Sequence, residues 1–212
     1  AAAPLVLITA WEALHDRARI EPEQTVLIHG GAGGVGHVAI QLARLAGARV
    51  ATTVSGPEKA EFVHGLGAEY AIDYQQEDLA GAIADWTGGR GVDVCFDTVG
   101  PEIFARSIEV MAVYGDLVTI LDPGAVSLKE ARNRNLRISL ELMLTPQLKH
   151  MPEALAHQGE ILRRCGELFD AGELRIAVAD TYPLAAAGDA HRRLEAGGMQ
   201  GKLVLTMPAA DG

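Results

Sequence analysis

Cysteine is scarce in this chain. Cys95 and Cys165 are the only two, far apart and in no Cys-x-x-Cys pair. They build no disulfide framework and no zinc ribbon, and such usage suits a reducing cytoplasm. Positive charge is also short: 18 Lys and Arg stand against 28 Asp and Glu, a net charge of −10. Nucleic acid is thereby excluded as a partner, because a phosphate backbone calls for a basic surface. No apolar run reaches membrane-spanning length and no signal peptide is visible, so no membrane role is expected. The chain opens Ala1-Ala2-Ala3-Pro4 without Met, which reads as an internal start. The seven histidines make no His-Glu-x-x-His spacing, and no Ser/His/Asp set can be assembled from the sequence. No metal ligands and no general acid are therefore assigned; the catalytic residues are unknown at this stage. His29, at the end of a buried strand, reads as structural.

What remains is a globular composition, 49% hydrophobic and 22% charged over 212 residues, enough for one domain with an appendage. Its sharpest feature is Val26-Leu27-Ile28-His29-Gly30-Gly31-Ala32-Gly33-Gly34-Val35-Gly36. Thr25 to Ile28 read as a buried strand. After the glycine-rich turn, Val35, Val38, Ala39, Leu42, Ala43 and Ala46 fall at helical spacing. Strand, glycine turn and helix open a dinucleotide-binding unit. Gly31 is expected to make the sharp turn, Gly33 to let backbone approach a pyrophosphate, and Gly36 to let helix pack on strand. The helix N-terminus then offers free N–H groups to phosphate. Gly30-x-x-x-Gly34-x-Gly36 also fits short-chain dehydrogenases, which need Tyr-x-x-x-Lys. None of Tyr70, Tyr74, Tyr114 and Tyr182 has Lys four residues on.

Strands at about 25–29, 49–54, 70–73, 92–97 and 117–121 alternate with helices at about 35–46, 57–66, 78–86 and 103–111. A sixth strand is expected over Leu136 to Leu142, a helix over Thr9 to Ala18, and another around Ile161 to Phe169. This alternation predicts an α/β fold: a Rossmann-type, doubly wound parallel sheet of about six strands. The tail differs. Tyr182-Pro183-Leu184 leads into a helix with Ala187, Ala190, His191 and Leu194 at helical spacing, and Lys202 to Thr206 is a last strand outside that sheet.

The end of the second strand selects the cofactor. An NAD-binding fold places Asp or Glu there for the ribose hydroxyls. Here it ends Thr52-Thr53-Val54-Ser55-Gly56, with Lys59 one turn into the next helix. A hydroxyl, a glycine, a helix N-terminus and a lysine suit a 2′-phosphate, so NADP(H) is expected. The competing reading makes Ser55-x-x-Glu58 a capping box and leaves Lys59 in solvent.

At this point the chain resembles the cofactor domain of the medium-chain dehydrogenase/reductase superfamily. It is most similar to the quinone oxidoreductase (ζ-crystallin-like) branch. The matching stretches are Leu7 to Leu14, the Gly31 to Gly36 loop with Gln41-Leu42-Ala43, Glu58-Lys59, Gly67-Ala68 and Ile72-Asp73-Tyr74. Gly89-x-Gly91-Val92-Asp93, Phe96-Asp97-x-Val99-Gly100 and Gly201-Lys202-Leu203-Val204-Leu205 continue the match in order. The resemblance implies Gly33, Gly34 and Val35 under the pyrophosphate and Ser55, Lys59 and Tyr74 around the 2′-phosphate. It also implies Thr9 and Val99-Gly100 near the nicotinamide side, and Ile120 and Leu121 lining the nicotinamide pocket. Asp97 is expected to organise the strand-end turn.

Zinc enzymes of that superfamily carry a cysteine ligand where Leu5 stands, so their catalytic zinc is not expected. Complete members also have an upstream β-rich catalytic domain of the GroES-like kind. The expected division is therefore 1–181, an NADP(H)-binding domain, and 182–212, a return segment of an absent catalytic domain. The implied activity is zinc-independent hydride transfer from NADPH to a quinone or an α,β-unsaturated carbonyl. The implied protein is a cytoplasmic homodimer joined through the 136–142 edge strand. A non-catalytic NADP(H)-binding module, and an enoyl-reductase module of a larger synthase, are the alternatives.

Overall fold

The computed structural model describes residues 1–207; the last five residues of the expected tail lie outside them. Six strands form one sheet: β1 (Thr25–Ile28), β2 (Arg49–Val54), β3 (Tyr70–Asp73), β4 (Val92–Asp97), β5 (Met111–Thr119) and β6 (Arg137–Leu140). Their order is β3-β2-β1-β4-β5-β6, and every neighbouring pair is parallel. The doubly wound sheet expected from sequence is therefore the fold.

Side-chain alternation along the central strands feeds two cores. Val26 and Ile28 of β1, Val94 and Phe96 of β4, and Val118 of β5 share one core. That core is completed by α1 (Pro4–Trp11), α2 (Gly36–Leu45), α3 (Pro57–His64) and α8 (Pro152–Asp170). Leu27, Cys95 and Leu117 point the other way, onto α4 (Leu79–Thr87), α5 (Pro101–Val110) and α6 (Lys129–Asn133). Two short elements complete this part, α6 and α7 (Thr145–Leu148); neither has enough apolar period to be read from sequence.

Two boundaries need correction. The helix expected over Thr9 to Ala18 is α1 from Pro4 followed by a π-helical turn, Glu12–Arg17. Proline at the first turn starts the helix earlier than its apolar spacing suggested. The fifth strand begins at Met111, not Leu117, and ends at Thr119. Its first half exposes Val113 and Tyr114, which hid it from a buried-strand pattern.

The tail holds an unforeseen strand, β7 (Val178–Pro183), ahead of α9 (Ala187–Glu195) and β8 (Lys202–Thr206). β7 and β8 pair in parallel as a separate two-stranded sheet. The 181/182 division expected from sequence falls inside β7. β7 is almost wholly exposed, so it lacked the apolar alternation that marks a strand.

Candidate cofactor-binding site

All six parallel strands end on one edge, and the strand order reverses between β1 and β4. Ligands of open α/β sheets bind in the crevice at such a switch point. β1 runs directly into the glycine-rich turn there.

The turn's glycines divide the work differently from the sequence expectation. Gly30, not Gly31, takes the left-handed conformation, φ +67°, that makes the sharp bend. Gly31 is needed for room: a Cβ there would lie 2.0 Å from Thr52 Oγ1. Gly36 is needed for the same reason, its Cβ falling 2.3 Å from the Gly30 carbonyl. The bend is held from below: Thr53 Oγ1 accepts the Gly30 N–H at 3.0 Å, and Thr98 Oγ1 donates to the His29 carbonyl at 2.7 Å. Among the described residues, the N–H groups of Gly34 and Val35 find no acceptor in the chain. Unpartnered amides at a helix start are an anion cradle.

His29 is structural, as expected. Its Nε2 lies 2.9 Å from Ser107 Oγ and its Nδ1 3.3 Å from Thr53 Oγ1. Ser107 Oγ already donates to the Ile103 carbonyl, and Thr53 Oγ1 already accepts from Gly30. His29 therefore donates from Nε2 and accepts on Nδ1. Complete burial pushes its pKa down to about 3, and Arg106 adds to this, so it stays neutral.

At the end of β2, Lys59 Nζ donates to Ser55 Oγ at 2.9 Å. The capping box does not form: the cap of α3 is Gly56, without a side-chain bond, and Pro57 occupies the first turn. Ser55 and Lys59 thus present a hydroxyl and an ammonium side by side. Tyr74, exposed beyond β3, lines the adjacent cavity of about 550 Å³ with His29, Thr53, Val99, Gly100 and Arg106. The structure brings Tyr74, Val99 and Gly100 together here. Arg106 was missed; a lone arginine on a helix carries no sequence signal.

Across the switch point, buried Asp97 does what was expected. Its Oδ1 accepts the N–H groups of Val99 and Gly100, at 2.9 and 3.1 Å, and its Oδ2 accepts from Thr119 Oγ1 at 2.9 Å. One carboxylate therefore ties the end of β4 to the end of β5, where half-buried Ile120 and exposed Leu121 follow. Thr9 stands apart. It is buried in α1, and its hydroxyl donates to the Leu5 carbonyl at 2.8 Å.

Lys202 was also missed. It opens β8, far away in sequence, yet its side chain lies over Gly34. A Cβ on Gly34 would come within 2.9 Å of Lys202 Cδ and 3.4 Å of its Nζ. The Gly201 N–H donates to the Ala32 carbonyl at 2.8 Å. The Gly-Lys pair in the matching stretch 201–205 was the available signal.

Comparison with known proteins gives this geometry its setting. The zinc-binding dehydrogenase family profile matches residues 66–205. A 2-haloacrylate reductase of Burkholderia sp. is 36% identical over 209 residues, 93% of this chain and 60% of that protein. A phenolphthiocerol/phthiocerol polyketide synthase subunit of Mycobacterium tuberculosis is 31% identical over 95% of this chain and 9% of its own length. Among solved structures, an alcohol dehydrogenase superfamily protein from Novosphingobium aromaticivorans superposes with TM-score 0.87 at 36% identity, over 94% of this chain and 60% of that one. The quinone oxidoreductase of Coxiella burnetii gives 0.80 at 34%, over 97% and 59%. A mycobacterial protein complexed with NADPH gives 0.84 at 31%, over 96% and 64%. The chain thus spans about 60% of the reductase it matches.

Zinc, in the family's name, does not fit the residues present. Among the described residues no three His, Cys, Asp or Glu side chains are grouped to hold a metal. Both cysteines are buried in separate elements, and Leu5 offers no donor. Strand order, glycine-rich turn and matched sequence agree, and the chain belongs to the zinc-binding dehydrogenase family, as a cofactor-binding domain of the medium-chain dehydrogenase/reductase superfamily.

Proposed function

We propose that this chain binds NADP(H) and belongs to a zinc-independent reductase of α,β-unsaturated carbonyl compounds or quinones. The observation that carries the reading is the Ser55–Lys59 pair at the end of β2, where an NAD-type site would hold a carboxylate. A 2′-phosphate would accept from both groups, while the amides of Gly34 and Val35 and the Lys202 ammonium would meet the pyrophosphate. Tyr74 would pack against the adenosine. Val99, Gly100, Ile120 and Leu121 would form the nicotinamide wall, with Thr9 on its far side. When bound, NADPH supplies a hydride from its nicotinamide ring to the electron-poor carbon; a proton from water or a hydroxyl completes the reduction. The chain's own part is orientation and exclusion of water, and orientation of this kind contributes roughly 7–11 kcal/mol to lowering a barrier.

The relatives support a C=C or quinone acceptor by name: a 2-haloacrylate reductase and a quinone oxidoreductase. A second reading, an enoyl-reductase module, is favoured by the match inside a polyketide synthase subunit and by the likeness to an enoyl reductase structure, TM-score 0.84 at 28% identity. A module that holds NADP(H) without catalysis is the third. We further propose a cytoplasmic homodimer, and a catalytic domain outside these residues that the tail rejoins.

Titration of NADPH and NADH against wild type and Lys59→Ala tests the reading. Losing one charge-assisted contact of roughly 1.5–3 kcal/mol weakens NADPH binding about ten- to a hundredfold. NADH binding stays nearly unchanged. Equal wild-type affinity for the two cofactors would overturn the assignment.

A further inference from the structure

His37 lies in the first turn of α2, fully buried, and the functional reading above gives it no task. Its two ring nitrogens face two backbone groups that leave no choice of tautomer. Nδ1 is 2.9 Å from the Gly33 carbonyl, which can only accept. Nε2 is 3.2 Å from the Ala177 N–H, which can only donate. The imidazole must therefore be neutral, protonated on Nδ1 and bare on Nε2.

Gly33 belongs to the glycine-rich turn. Ala177 is the last residue before β7. One side chain thus joins the cofactor turn to the root of the tail sheet. The joint is reinforced on both sides. One helical turn on, Gln41 grips Arg175 twice, donating to its carbonyl at 2.9 Å and accepting its N–H at 3.0 Å. The Ala177 carbonyl accepts the Lys202 N–H at 2.9 Å, the residue whose side chain covers Gly34.

We propose that His37 is a positioning residue of the cofactor site. Its neutral imidazole clasps Gly33 to Ala177, so that the turn's amides and the Lys202 ammonium are presented together to one pyrophosphate. This rests on the NADP(H) reading above. The clasp also makes the tail sheet part of the cofactor site, not a mere appendage to it.

The clasp opens with acid. Burial lowers the His37 pKa, and the Lys202 ammonium of β8 lowers it further, while the Gly33 and Gly34 backbone resists. Among the described residues no other charge shifts it, although the π-helical turn that also touches α2 carries Glu12, His15, Asp16 and Arg17. Arg175 turns its guanidinium to the Gly65 carbonyl, and α1, packed on α2, has no titratable side chain. A proton on Nε2 would set N–H against N–H and release Ala177. The neutral clasp holds at pH 7 and opens below the ordinary histidine value of 6.5.

The test uses the 212-residue chain with NADPH as probe, from pH 5 to 8. His37→Leu removes donor and acceptor and should weaken NADPH binding by about tenfold or more, as two lost hydrogen bonds imply. His37→Gln keeps one donor and one acceptor and should restore most of that affinity. A phosphate monoester also titrates near pH 6, so the reading is the ratio of wild type to His37→Gln. That ratio should fall toward the acid end of the range for a clasp that titrates. Ring-nitrogen chemical shifts by NMR should give protonated Nδ1 and bare Nε2, and they decide the clasp even where His37→Leu fails to fold. Wild-type affinity in His37→Leu, a flat ratio, or a protonated Nε2 would each overturn the proposal. A wild type that binds no NADPH would overturn the functional reading instead, with the NMR signature still deciding the clasp.

Discussion

Gly36 shows how little latitude the cofactor turn has. Its missing Cβ would stand 2.3 Å from the Gly30 carbonyl and 2.8 Å from Gly31 Cα, both backbone atoms that cannot swing aside. Gly36→Ala must therefore push α2 away from the turn. The expected cost is about 1–3 kcal/mol of stability, the range for overpacking a close contact. NADPH binding should fall with it, because the amides of Gly34 and Val35 would no longer converge. A thermal melt and a cofactor titration on the same sample measure both. Gly81→Ala is the matched control: its Cβ meets only Asp78 Oδ2, at an ordinary 3.5 Å. An unchanged melt for Gly36→Ala would refute the close-packing account.

At the scale of elements, the π-helical turn, the end of β6 and α8 meet at a pair of buried carboxyls. Glu141 is bound by Arg17 at 2.8 Å, and Glu12 Oε1 accepts from Gln158 of α8 at 3.0 Å. Glu12 Oε2 is buried with no partner among the described residues. Burial, chiefly, and the neighbouring Glu141 push the Glu12 pKa up to about 7. A proton on Glu12 would supply the missing partner. Between 4.5, its ordinary value, and about 7, the folded chain holds a proton that the unfolded chain has released. Stability from this group is full below pH 4.5 and lost as pH rises through about 7. The change is on the order of 1–3 kcal/mol after allowance for solvent screening. Glu12→Gln mimics the protonated acid. It should raise the melting temperature at pH 8.5 and leave it nearly unchanged at pH 5; equal effects at both would sink the idea. β6 itself carries the dimer proposal. The Glu141 N–H donates to the Thr119 carbonyl, so Ile138 and Leu140, at odd spacing from Glu141, turn their N–H groups to the open edge. Leu140 and Leu142 are exposed beside it. Ile138→Pro or Leu140→Lys should give monomers in light scattering, while a wild type that is monomeric at high concentration would refute the contact.

Whole-molecule behaviour follows from two unequal parts. The six-stranded sheet has helices on both faces and a closed core, so it should fold by itself, whereas the cofactor site also draws on the tail sheet. The tail sheet has few buried side chains: β7 is exposed over most of its length, and Leu184 and Leu194 are open to solvent. Apolar surface of this kind seeks a partner. We expect the 212-residue chain to bind NADPH yet reduce test quinones and enones far more slowly than a protein that includes the proposed catalytic domain. The physical reason is the second wall that the proposed domain would supply, to exclude water and orient the substrate. Turnover by this chain at a rate equal to such a protein would show that the cleft is complete as it stands.

Local sequence determined the parallel sheet, the glycine-rich turn, the Ser55–Lys59 pair and the Asp97 corner. Each is written in a run of a few residues: a buried apolar strand, a glycine spacing, a hydroxyl four residues before a lysine. The parts contributed by distant segments were not written there. Lys202 over Gly34, His37 between Gly33 and Ala177, and Glu12 against Glu141 pair residues about 130 or more apart. Their meeting depends on how α8 and the tail return to the sheet. The same holds for β7, whose exposed residues carry no period, and for the choice between a capping box and a Ser55 paired with Lys59. Pro57 and Gly56 settled that choice through backbone geometry. Sequence periodicity encodes which face of an element is buried; only the assembled chain decides which groups at the ends of those elements share a proton, a phosphate or a backbone amide.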